Sequence, residues 1–99
     1  MDRRIRVVQM IDKISSNTTL DNTYEVVLVD ASAGPVTVGL PGRGSLYRDK
    51  TYRVKKIDAS DNVVSVEGPV DNGNSVELKV RGQSCLVICD GTQWWQLTN

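Results

Sequence analysis

Apolar and polar positions alternate along this chain in short runs, and Gly, Pro, Asn and Asp separate the runs. Val36-Thr37-Val38-Gly39-Leu40 alternates cleanly, which turns Val36, Val38 and Leu40 to one side. Ser75-Val76-Glu77-Leu78-Lys79-Val80 does the same, with Val76, Leu78 and Val80 inward. A period of two is the geometry of a half-buried strand. Tyr24 to Val29, Tyr52 to Ile57 and Val63 to Glu67 read as further strands from their β-branched and aromatic content. Ser84 to Cys89 is nearly continuous in apolar residues, the pattern of a strand buried on both faces. An Asp90-Gly91 turn then leads into a closing strand, Trp94 to Thr98.

The breaks are equally regular. Ser15 to Thr19 is polar, Ala31 to Pro35 is a turn, and Pro41 to Ser45 opens a loop through Asp49. Asp58-Ala59-Ser60-Asp61-Asn62 has the size of a hairpin connection, and Gly68 to Asn74 is a turn-rich loop. Residues 1–14 fit two patterns. Ile5, Val7, Gln9 and Ile11 alternate, whereas Ile5, Val8, Ile11 and Ile14 would share one side of a short helix; β-branched content tips the choice to a strand or extended arm. Together these elements predict an all-β protein, a small antiparallel β-sandwich or barrel of about seven to eight strands. Residues 1–20 form its N-terminal arm or first strand, and residues 21–99 a single β-domain.

Composition narrows the picture. At 99 residues there is room for one domain and one modest core. Only 39% of residues are apolar and Phe is missing, so Val, Leu and Ile must fill the core, with Tyr and Trp at its edges. A core this thin invites an oligomer that shares it. Twelve basic and twelve acidic residues cancel, so no global field attracts nucleic acid or an anionic membrane. Two stretches are locally basic, Arg3-Arg4-Ile5-Arg6 and the set Arg43, Arg48, Lys50, Arg53, Lys55 and Lys56, which read as solvated strand faces and loops. Met1 leads into charge rather than an apolar signal region, and no apolar run reaches the ~20 residues of a membrane span, so synthesis in a cytosol is expected. Cys85 and Cys89, four apart in one strand, have Cα atoms ~13 Å apart at ~3.3 Å per residue. A disulfide needs roughly 4.4–6.8 Å, so free buried thiols on the face of Val87 are expected.

Candidate chemistry is sparse. The chain has no His, the commonest general base and a common metal ligand. Ser-Lys chemistry stays formally open, without a motif to support it. Asp58, Asp61, Asp71 and Asp90 fall at turns, where carboxylates cap backbone N–H groups. Asp58 to Asn62 could offer a calcium ion a few oxygens but lacks an EF-hand pattern. Leu40 to Ser45 lacks the Gly-Lys-Ser/Thr ending of a phosphate loop. Trp94 and Trp95 must point to opposite faces of their strand. One fills the core; the other serves a subunit interface or a sugar platform.

The order of several motifs resembles a β-module of bacteriophage virion proteins, namely tail fibres, head fibres and capsid decoration proteins. The matching segments are Val36-Thr37-Val38-Gly39-Leu40-Pro41, Tyr52-Arg53-Val54-Lys55-Lys56-Ile57-Asp58, Asn62-Val63-Val64-Ser65-Val66, and Val87-Ile88-Cys89-Asp90-Gly91-Thr92-Gln93-Trp94-Trp95. The resemblance, from Val36 onward, covers about two-thirds of the chain. Two departures stand out: the family's Ile-Asp-Gly loop is Val70-Asp71-Asn72-Gly73 here, one residue longer, and its Asn-Trp-Tyr is Gln93-Trp94-Trp95.

The resemblance implies a trimeric, all-β, non-enzymatic virion protein, made in the bacterial host cytoplasm and needing no cofactor or metal. With no room for a fibre shaft, it implies a capsid decoration or cementing protein that binds the assembled shell. Arg3, Arg4, Ile5, Arg6 and Val7 would form the attachment arm. Trp94 and Trp95 would meet neighbouring subunits. Arg43, Arg48, Asp71 and Asn72 would lie on outward loops, at residues 42–50 and 68–74. The expected partners are the major capsid protein, or a tail or baseplate protein, and two further copies of the chain; neither membrane nor direct nucleic-acid contact is expected. The alternative is a tail-fibre or receptor-binding module that stacks host-surface glycan on an exposed Trp, helped by Tyr47 or Tyr52. A glycan hydrolase using paired Asp residues would need a deep cleft that this length scarcely permits.

Overall fold

The structure is a computed structural model that describes residues 10–42 and 45–98. Among the described residues the strands are β1 (Ile11–Ile14), β2 (Thr18–Thr19), β3 (Val26–Val29), β4 (Val36–Gly39), β5 (Thr51–Lys56), β6 (Val64–Val70), β7 (Asn74–Leu78), β8 (Ser84–Cys89) and β9 (Trp94–Thr98). One 3-10 turn, Ser45–Tyr47, lies between β4 and β5. The protein is all-β, as the alternation requires.

The strands form two mixed layers. The first has the order β1-β3-β5-β8-β9 and the second β2-β4-β6-β7. One residue pair, Val70 opposite Trp94, joins β6 to β9 and makes the hydrogen-bonded path continuous. From β1 to β6 the chain changes layer at every step. Neighbours within a layer are therefore parallel: β1 with β3, β3 with β5, β2 with β4, and β4 with β6. The remaining pairs, β5 with β8, β6 with β7 and β8 with β9, are antiparallel.

This corrects the expectation of an antiparallel sheet. Parallel neighbours need a long crossover, and here a strand of the opposite layer supplies it. Asp58 to Asn62 is accordingly no hairpin; it carries the chain from β5 in the first layer to β6 in the second. Among the described residues the strands number nine because Thr18 and Thr19, inside the polar break, pair with Val38 and Gly39. The loop expected from Gly68 shrinks to Asp71–Gly73, because β6 continues through Val70. Gly68 allows this: a Cβ there would lie 2.7 Å from Leu40 Cβ.

The inner faces of the layers share one core. The first layer contributes Val27, Val29, Tyr52, Val54, Cys85, Val87, Cys89 and Trp94; the second contributes Val36, Val38, Val64, Val66, Val76 and Leu78. Trp94 and Tyr52 are the largest of these, with ring centroids 5.4 Å apart. Their polar ends are satisfied: Trp94 Nε1 donates to Pro41 O at 3.1 Å, and Tyr52 Oη to Asp21 O at 2.6 Å. Burial pushes the Tyr52 phenol well above its ordinary pKa, so it remains a donor. Cys85 and Cys89 are free and buried on the face of Val87, and burial pushes the Cys85 thiol up to about 11.

Two inward assignments are corrected. Val80 is 67% exposed, because β7 ends at Leu78 and the Gln83 side chain draws the backbone away by accepting the N–H of Lys79 and Val80. β8 is buried on one face rather than two; Ser84, Leu86 and Ile88 are only half-buried on the other.

The last strand is held as the Asp-Gly signal suggests. Asp90 Oδ1 accepts the N–H of Thr92 at 2.7 Å and of Gln93 at 2.9 Å. Asp90 Oδ2 accepts Trp95 Nε1 at 2.8 Å. Gly91 takes φ +96°, which few side chains tolerate.

Candidate functional site

Two regions gather chemistry-bearing side chains. The first is a buried polar knot at the end of β5. Tyr52 and Val54 point inward, so Lys56 must do so too, and it is fully buried. Its ammonium donates to Asp58 Oδ2 at 2.7 Å and to Ser60 Oγ at 3.4 Å. Asp58 Oδ1 accepts Ala31 N–H at 2.7 Å, while Oδ2 accepts Ser60 N–H at 3.0 Å and the Ser60 hydroxyl. Asn62 completes the knot: its N–H reaches Ser60 Oγ at 3.2 Å and its side-chain amide donates to Ala31 O at 2.8 Å. Burial alone would raise the Asp58 pKa, but the bonds from Lys56, Ser60 and the N–H groups of Ala31 and Ser60 outweigh it. They hold the carboxyl well below the usual range.

This is the Ser-Lys juxtaposition that the sequence left open, and its geometry is that of a tie. A serine nucleophile needs a neighbouring base free to take its proton. Here the lysine is ion-paired with Asp58, and a carboxylate with so low a pKa is a weak base. No buried side-chain N or O among the described residues lacks a partner. The knot joins the crossover Asp58–Asn62 to the β3–β4 turn at Ala31. The basic stretch was read as solvated, and Lys56 departs from that. Its parity with Tyr52 and Val54 was the available signal.

Asp71 and Asp90 also serve the backbone, whereas Asp61 is exposed. Asp71 Oδ1 accepts Gln96 N–H at 3.0 Å, and Asp71 N–H donates to Trp94 O at 3.0 Å. Asp71 is therefore half-buried and tied to β9, not presented outward. Asn72 is exposed at the turn, and Arg48 is exposed with its guanidinium donating to Asp90 O at 3.0 Å. Arg43 and the arm residues Arg3, Arg4, Ile5, Arg6 and Val7 lie outside the described residues. Trp94 is wholly inside its own chain, so a subunit contact could draw only on Trp95. Among the described residues no group of three or more His, Cys, Asp or Glu could hold a metal ion. Nor is any helix among them long and apolar enough to cross a membrane.

The second region is the outer face of the first layer. Strand register sets its rows. Ile11, Val26, Arg53 and Leu86 stand side by side across β1, β3, β5 and β8. Lys13, Leu28, Lys55 and Ser84 form the next row. Thr51, Ile88 and Trp95 form a third, and Leu97 sits in the β8–β9 irregularity. Ile11 is 63% and Leu97 58% exposed, and the face is partly open at Val26, Leu28, Leu86, Ile88 and Trp95. Among the described residues the charges at its outward strand positions, Lys13, Arg53 and Lys55, are all positive. Sequence reasoning found Trp95 but missed Leu86 and Ile88, because an apolar residue on either side of β8 looked like core. No protein-family model, curated protein or solved structure matches the chain.

Proposed function

We propose that this chain is a non-enzymatic structural protein of a bacteriophage virion, a capsid decoration protein that binds the assembled shell as a trimer. The observation that carries this reading is the outer face of the first layer, an apolar and cationic strand surface on a domain whose clustered polar groups are spent on internal ties. Its chemistry suits protein contact better than catalysis. The motif order from Val36 to Trp95 supplies the link to virion proteins. Binding the assembled shell in preference to loose subunits would stabilise the shell by mass action.

The test is co-sedimentation of the purified chain with empty shells of the phage that encodes it, alongside light scattering of the chain alone and on the shell. Pelleting with shells, a higher shell unfolding temperature and a mass of three times 10.9 kDa are expected. A chain that stays in the supernatant at every salt concentration would overturn the decoration role. Half-open Trp95, with its indole N–H fixed by Asp90, supports the tail-fibre reading as the second choice. Quenching of tryptophan fluorescence by host polysaccharide would favour it.

A further inference from the structure

We infer that the outer face of the first layer docks onto an acidic, apolar surface of a different protein, and not onto a second copy of this chain. The argument is charge complementarity. Lys13, Arg53 and Lys55 stand among aliphatic side chains and Trp95, and no Asp or Glu occupies an outward strand position of this layer among the described residues. Arg and Trp in an apolar surround are the residue types that anchor protein interfaces. The other layer of a copy would offer Glu67 and Glu77 but, among the described residues, no large apolar side chain, and packing this face on the same face of a copy brings the cations of each subunit together. Like charges at a contact select against that partner. A carboxylate-bearing partner reverses the sign.

The knot and the turn carboxylates cannot neutralise the face from within. Asp58 is consumed by Lys56, Ser60 and Ala31, while Asp90, at the end of β8, is consumed by Thr92, Gln93 and Trp95. The other layer offers the internal contrast. Among the described residues its outward strand positions carry Glu67 and Glu77 among Ser and Thr, with no large apolar side chain. The inference rests on the virion reading for the partner's identity, the shell protein, and on the face itself for the partner's chemistry.

The experiment has two arms. In the first, co-sedimentation with purified empty shells compares the native chain with Arg53→Glu/Lys55→Glu and with Glu67→Lys/Glu77→Lys. The first pair should weaken binding at least about tenfold, the second should leave it unchanged, and native binding should weaken as salt rises. In the second, a soluble peptide of alternating Leu and Glu is titrated while the emission of Trp95 is followed in a chain carrying Trp94→Phe, with an alternating Leu-Lys peptide as control. A salt-sensitive change with the acidic peptide alone supports the face even if shells are not bound, in which case the virion reading alone fails.

Binding that survives the Arg53/Lys55 reversal, equal binding of both peptides, or no response in either arm overturns the inference. So does a native chain whose oligomeric mass by light scattering falls with the same reversal, because the occupant is then a second copy. Peptide binding that appears only after removal of residues 1–9 would assign the face to the chain's own N-terminus and overturn it equally.

Discussion

The two layers are wound alike and share one core, yet their outer faces differ in kind. Both contain a parallel trio, β1-β3-β5 or β2-β4-β6, extended by antiparallel strands, β8 and β9 in the first layer and β7 in the second. Inward positions are apolar in both layers, almost all Val in the second and Val with Tyr52, Trp94 and two cysteines in the first, where Lys56 is the one buried charge among the described residues. Outward positions differ. The second layer shows Thr37, Gly39, Ser65, Glu67, Ser75 and Glu77, which are small or polar. The first shows aliphatic side chains, Trp95 and a line of cations. Folding constrains the inner half of each alternation, and both layers obey it in the same way. The outer half is free of that constraint, and the difference there is what the proposed docking onto a partner rests on.

The sharpest way to break this comparison is to truncate adjacent tryptophans that lie on opposite faces of β9. Trp94→Ala empties the centre of the core and abandons the bond to Pro41, and should cost about 3–5 kcal/mol. Trp95→Ala, on the outer face, should cost far less. Urea unfolding followed by circular dichroism measures both. Equal losses would mean that the outer face is structural after all.

Next in size is the knot. Lys56→Met should destabilise strongly, though less than Trp94→Ala, because it leaves the Asp58 carboxylate buried without its cation. Lys55→Met, one residue earlier and on the outer face, should leave stability nearly unchanged. A chain that tolerates both equally would remove the knot's role in fastening the crossover.

That contrast between adjacent lysines also shows what the sequence made legible. Alternation found the inward sets Val36-Val38-Leu40 and Cys85-Val87-Cys89, and the Asp-Gly pair found the turn before β9. It could not give the direction of pairing, since a parallel and an antiparallel strand alternate identically. Direction followed from crossovers whose strands, β2 above all, are too short to show a period. Lys56 was legible in principle. Its burial follows from counting two residues on from Val54, but lysine's usual preference for water concealed it. The candidate face was concealed for the opposite reason. Leu86 and Ile88 look like core by composition, and among the described residues no layer lies beyond them.

Acid should reveal the turns before it reveals either face. Bonds from Trp95, Gln93 and Thr92 hold Asp90 below the ordinary carboxylate range; Thr23 does so for Asp21 and Ser32 for Asp30. Asp58 is lowered further by its partners against the opposing effect of burial. A carboxyl with a lower pKa folded than unfolded stabilises the fold above its unfolded value, about 4, and loses that contribution as pH falls through the folded value. Stability should therefore be level near neutrality and decline below about pH 4. Asp58→Asn should lower stability at neutral pH and make the acid decline shallower. Unfolding free energies across the acid range test this; an unchanged acid limb in Asp58→Asn would assign the decline to other groups.

The smallest expected effect is the one that isolates the outer faces from the fold. The Glu77–Lys79 pair at 3.5 Å is open to solvent on both sides, and such pairs contribute little. Arg53 and Lys55 are exposed and have no carboxylate beside them in their strand rows. Glu67→Lys/Glu77→Lys and Arg53→Glu/Lys55→Glu should each shift unfolding free energy by no more than about 0.5 kcal/mol per substitution. If the Arg53/Lys55 reversal instead destabilises the isolated chain by several times that, the cations serve the fold, and the contrast between the layers loses its functional meaning. If both reversals are silent in stability while only the first alters partner binding, the two faces are equivalent to the fold and different to the world outside it.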